Sequence, residues 1–182
     1  INGLNGLPGP DGDTCTNRRP TRGTAAAGLR KRQPHTVGEA AATNASALLR
    51  GARGNSGVSL SLLFRGFAKA VKDKDSIDGR DLAIALDFGV AAAYKAVMKP
   101  AEGTILTVSR LTAARAADAA RQTPNDPEAV LEAAIAEGQP ALEHTTERNP
   151  AMKKPGAVDA RGKGLLVIHP GMPDTPRGLP MP

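Results

Sequence analysis

The sequence predicts an all-α protein of five or six helices. Hydrophobic residues form 40% of the 182 residues but aromatics only 2%, with no Trp, so the core must be built from Ala, Leu, Val and Ile. Side chains that small let helices approach closely, and Ala-rich text without β-branched runs favours helix over sheet. No stretch alternates polar and apolar residues long enough to suggest a strand.

The elements follow in order. Residues 1–17 read as a Gly/Pro/Asp loop, and residues 18–36 show little apolar periodicity and read as a basic linker or disordered insert. Val37 to Leu49 is Ala-rich and helical, and GARGNSG at 51–57 interrupts it. Ser56 is the expected N-cap of a helix with Leu60, Leu63, Phe64, Phe67 and Val71 on one face. Asp78 caps the next helix, which runs through Leu82, Leu86 and Val90 to about Met98 before Pro100. Thr104 opens a helix to about Arg121, and Asp126-Pro127 opens another, with Pro140 set to kink or end it. Gly164 to Ile168 is a candidate closing helix, and 169–182 reads as a disordered Pro-rich tail.

Charge and cysteine usage exclude several classes. The net charge of +6 invites a polyanion partner, but much of the excess lies between Arg18 and Arg32, which holds six Arg/Lys and no acid. No aromatic interleaves that run, so it offers no stacking platform for bases, and nucleic acid is not the expected partner. Cys15 is the single cysteine, which excludes a disulfide framework within the chain. No apolar run approaches about 18 residues, so no membrane span is expected and a cytoplasmic location follows. The glycine triplets at Gly3, Gly6, Gly9 and Gly12 are too few for a collagen helix.

Chemistry concentrates in four turns. In PDGDT (10–14), Gly12 lets Asp11 and Asp13 converge on one point, and paired carboxylates with substrate phosphates are how magnesium is commonly held. The bland alternative is an Asp-Gly turn. GARGNSG precedes a helix and would aim backbone N–H groups at an anion, although it is neither a Walker A motif nor a dinucleotide fingerprint. KPAEGTIL (99–106) and VDARGKG (158–164) are the third and fourth. Four such turns at helix ends suggest one rim that binds an anionic ligand.

INGLNGLPGPDGDTCTN, LLRGARGNSGVSLSLLFRGFAKA, AYKAVMKPAEGTILTV and GAVDARGKGL resemble, in order, the blocks of the DhaL-like kinase family. That family includes the dihydroxyacetone (glycerone) kinase L subunit and the N-terminal domain of fatty-acid kinase catalytic subunits. The resemblance implies an antiparallel helical barrel or bundle of about six to eight helices with the nucleotide site at one rim, spanning residues 1–168. It implies ATP or ADP bridged by two magnesium ions on Asp11 and Asp13, with Asn5 near a further ligand. Thr14, Thr16 and Asn17 would touch phosphate, as would Asn55, Ser56 and Gly57, and Thr104 would line the nucleotide pocket. Asp159 and Ala160 match a late turn near the nucleotide. The phosphoryl acceptor would arrive on a partner protein, a fatty-acid-binding or dihydroxyacetone-binding subunit.

The chain also departs from the family pattern. Cys15 and Arg161 replace glycines, and Gly3, Gly6 and Gly9 stand where larger residues are usual. Residues 18–36 lack the expected apolar helix and resemble out-of-frame reading of GC-rich DNA. With the sequence starting at Ile1, the family's preceding helix and downstream domains are expected to be missing. A truncated or partly frameshifted copy is therefore one expectation, and a nucleotide-binding module that has lost turnover is the alternative to an active kinase.

Overall fold

A computed structural model of the chain describes residues 14–100 and 102–145, together with Gly162 and Leu165. These residues form six helices and no strand: α1 (Thr14–Arg32), α2 (Val37–Gly51), α3 (Gly54–Ala70), α4 (Gly79–Ala96), α5 (Ile105–Gln122) and α6 (Pro127–Glu143). Asp78, Thr104 and Asp126 cap α4, α5 and α6 as their spacing predicts, accepting from the backbone N–H of Asp81, Leu106 and Ala129. Thr36 does the same for α2 through Glu39 N–H. Pro140 lies inside α6, which ends three residues later at Glu143.

Consecutive helices run antiparallel, and two buried clusters fix the two ends. One joins the end of α2 (Leu48), the second turn of α3 (Leu60), the end of α4 (Ala93) and the start of α5 (Ile105, Leu106), with Ala25 of α1 and Leu165. The other joins the start of α4 (Leu82), the end of α5 (Ala116, Ala120) and the first half of α6 (Val130, Ala134). Near this second end, the N–H groups of Val37 and Gly38 at the start of α2 donate to the carbonyls of Asp75 and Lys74, at 3.0 and 2.9 Å. The consequence for function is simple: α1, α3 and α5 begin at one end, where α2 and α4 finish.

The core has the predicted chemistry. Its largest fully buried side chains are Leu60, Leu142, Val71, Val108 and Val130, each contributing roughly 1.5–3 kcal/mol by burial. Phe64 and Phe67 are only half-buried, against its margins. Close approach is clearest where α3 crosses α4. A Cβ on Gly66 would lie 2.2 Å from the Phe88 carbonyl oxygen, and one on Gly89 would lie 2.7 Å from that of Leu63.

Two expectations need correction. Residues 18–32 are not a linker or disordered insert but most of α1, and only Gln33 to Thr36 connect non-helically. The buried face of α1 is a seam of small residues instead of large apolar ones: Thr21, Ala25 and Gly28 repeat at helical spacing. Thr21 and Ala25 are buried, and the backbone at Gly28 comes close to Ala47 of α2. That seam gives residues 18–32 a structural role whatever the origin of their composition. Second, Ser56 is not an N-cap. Helix α3 starts two residues earlier at Gly54, after Arg53. The closing helix at 164–168 is described only at Leu165, which is helical and buried. The 1–13 loop and the 169–182 tail lie outside the described residues.

Candidate functional site

The α2–α3 junction is the sharpest local feature of the end where the odd-numbered helices begin. Only Ala52 and Arg53 separate α2 from α3, and Gly54 enters the new helix at φ 53, a left-handed conformation that favours glycine. The four helices α2, α4, α5 and α6 each have a side chain capping their first turn; α3 has none, because its N-cap is Arg53. Gly54 and Asn55 are exposed, and the first turn contains no acid. An uncapped, exposed helix start presents N–H groups and the positive end of the helix dipole to any anion that reaches it. Asn55 and Ser56 lie in that turn, whereas the N–H of buried Gly57, also expected at the anion, already donates to the Arg53 carbonyl at 3.0 Å.

Helix α1 is held against this junction. The Thr21 hydroxyl, fully buried, donates to the Gly51 carbonyl at 3.0 Å. The same hydroxyl sits where a Cβ on Gly57 would be 2.8 Å away, so α1 and α3 approach closely two turns into α1. Thr14, Thr16 and Asn17 form the opening of α1. Thr104 caps α5, accepting from Leu106 N–H at 3.3 Å. The structure thus brings seven of the residues expected at the site to the starts of three helices at one end. Asn5, Asp11, Asp13, Asp159 and Ala160 lie outside the described residues. Among the described residues, no group of three or more His, Cys, Asp or Glu gathers at one point.

Sequence reasoning missed a polar network in the α4–α5 turn. Glu102 accepts from the Tyr94 hydroxyl at 3.0 Å, the Thr107 hydroxyl at 2.7 Å and the Arg110 guanidinium at 3.0 Å. Gly103 N–H donates in turn to the Thr107 hydroxyl at 2.8 Å. Partial burial pushes the Glu102 carboxyl up, but its hydrogen bonds from Thr107, Arg110 and Tyr94 outweigh that and hold it below the ordinary glutamate value. Burial pushes the Tyr94 hydroxyl up, so it stays a neutral donor. The network braces the turn that presents Thr104. Its available signal was the acid two residues before the cap in KPAEGTIL.

Comparison with known proteins places this geometry in a family. The DAK2 domain model matches residues 8–174. An uncharacterized protein of Staphylococcus haemolyticus is 43% identical over 171 residues, covering 94% of this chain and 31% of the relative. Protein YloV of Bacillus subtilis is 41% identical over 182 residues, covering all of this chain and 33% of the relative. An uncharacterized protein of Staphylococcus saprophyticus is 41% identical over 174 residues. The chain belongs to the DAK2 domain family, the kinase-type, DhaL-like family that its four blocks resemble. It spans about a third of the length of these relatives. Among the described residues, no helix is long and apolar enough to cross a membrane.

Proposed function

We propose that residues 1–168 form an ATP- and magnesium-dependent phosphotransferase domain of the glycerone kinase or fatty-acid kinase type. The observation that carries this reading is the uncapped start of α3, gathered with the starts of α1 and α5 at one end of the bundle. Backbone N–H groups of Asn55 and Ser56 and the hydroxyl and amide groups of Thr14, Thr16 and Asn17 bind phosphate oxygens, Gly57 supports that turn without offering its own N–H, and Thr104 lines the nucleotide pocket. Asp13 immediately precedes Thr14, the first residue of α1, in the sequence. Asp11 and Asp13, with Asn5 nearby, hold two magnesium ions, and Asp159 and Ala160 close on the nucleotide.

Such a donor set fits the group it would hold. Magnesium takes one or two carboxylates and keeps the rest of its shell for waters and phosphate oxygens. When bound, the ions neutralise the triphosphate. The chain's own part is to orient the phosphates on fixed N–H dipoles, with little covalent chemistry of its own. The phosphoryl acceptor comes on a partner protein, a fatty-acid-binding or dihydroxyacetone-binding subunit, in the cytoplasm.

Isothermal titration of ATP with and without magnesium tests the reading, comparing the parent chain with Asp13→Asn. The expected result is binding that requires magnesium and is weakened at least about tenfold by the substitution. Binding that ignores both metal and substitution refutes the assignment. A second reading, a nucleotide-binding module without turnover, is favoured by Cys15 and Arg161 standing at family glycines. Magnesium-dependent ATP binding with no phosphoryl transfer to any acyl- or dihydroxyacetone-carrying partner would select it.

A further inference from the structure

Outside the site, α3 and α4 form an open groove of about 420 Å³ whose composition is one-sided. It is lined by Leu62, Gly66, Phe88, Ala91 and Ala92, with Phe88 46% exposed. Arg65, Lys69 and Lys95 flank it, and among the described residues no acid lines it. Helix α3 has no acidic residue anywhere along its length. The groove exists because Gly66 and Gly89 let the two backbones cross in contact, leaving a shallow trough instead of a ridge. Beyond Ala96 at its end the apolar surface continues into Val97 and Met98, the latter 98% exposed.

We propose that this groove docks an acidic amphipathic helix of a partner protein. The trough between two helices, lined by small residues, has the shape that receives the ridge of a third helix. Large apolar side chains on that helix fill the space over Gly66, Ala91 and Ala92, and carboxylates on its flanks meet Arg65, Lys69 and Lys95. Charge complementarity selects the occupant. A basic or neutral helix would leave three cations facing like charge or nothing, whereas an acidic one pairs with them along both walls. The inference does not depend on nucleotide binding and can fail or hold independently of it.

The test uses the whole chain without nucleotide and a fluorescein-labelled peptide of about 18 residues, with Leu at i, i+3, i+4 and i+7 and Glu on the flanks. Fluorescence anisotropy should show saturable binding. That binding should weaken at least about tenfold in Arg65→Glu/Lys69→Glu and in Ala92→Trp, which fills the groove without changing charge. Circular dichroism confirms that both variants remain helical. A scrambled peptide of the same composition should bind at least about tenfold more weakly than the patterned one. Equal binding of the scrambled peptide, or unchanged binding by both variants, overturns the proposal. So does a concentration-dependent dimer in sedimentation velocity that Arg65→Glu/Lys69→Glu abolishes, because the groove would then belong to a second copy of this chain.

Discussion

Substituting the same residue type at two glycines should have opposite effects. At Gly66, an added Cβ would lie 2.2 Å from the Phe88 carbonyl oxygen and 2.7 Å from Gly89 Cα, where ordinary contact begins at 3.4 Å. Both obstacles are backbone of a packed helix, so no side chain can rotate away and α3 must move off α4 by about 1 Å. Overpacking of that kind costs about 3 kcal/mol, at the upper end of its usual range. The gain in helix propensity from Gly to Ala returns about 1 kcal/mol. Gly66→Ala should therefore lose about 2 kcal/mol net, lowering Tm by about 4–8 °C in a chain of this size. Gly23 on exposed α1 has nothing within 4 Å of its added Cβ, so Gly23→Ala keeps the propensity gain alone and should raise Tm by about 2–4 °C. Thermal and urea unfolding followed by circular dichroism reads both. Equal shifts for the two variants would refute the close crossing of α3 and α4.

Further outcomes follow from named contacts. Thr21→Val removes the buried donor to Gly51 O and should cost about 1–3 kcal/mol in urea unfolding, because the carbonyl is left unmet. Asp126→Ala removes the cap on Ala129 N–H and should cost about 1 kcal/mol, with helix loss localised by hydrogen exchange to the start of α6. The Glu102 carboxyl is held below its ordinary value of 4.5, so its contribution is fully present above that pH and lost as pH falls through its lowered value. Glu102→Gln should therefore be less stable than the parent at pH 7, by under about 1 kcal/mol because the pair with Arg110 is nearly half exposed. The two proteins should converge in urea titrations repeated toward pH 3.

Legibility from sequence followed the range of the interactions. Caps at Asp78, Thr104 and Asp126 were readable because each is a contact between residues two or three apart. Helix α1 was not, because its burial depends on α2 and α3, and its buried face of Thr21, Ala25 and Gly28 has too little apolar bulk to register as periodic. Pro20, Gly23 and the Arg/Lys cluster argued locally against helix, and tertiary packing overrode them. Ser56 was misplaced for a related reason. Gly54 adopts a positive φ and starts the helix where a conventional cap residue is missing, and that absence leaves the first turn available to a ligand. At the site, the blocks identified which turns matter, but not that three helix starts converge, which is a property of antiparallel topology. Tyr94, Glu102 and Thr107 all fall within AYKAVMKPAEGTILTV, but Arg110 lies two residues beyond it, and hydrogen bonds from Tyr94 and Arg110 to Glu102 span a change of helix direction that local pattern does not reveal.

The most direct measurement is a map of backbone amide chemical shifts on adding magnesium and ATP. The N–H groups of Asn55 and Ser56, with those opening α1 and α5, should shift saturably, while Gly38 and Gly79 at the opposite end stay still. Shifts confined to the opposite end, or spread along the Arg18–Arg32 face without the start of α3, would contradict it.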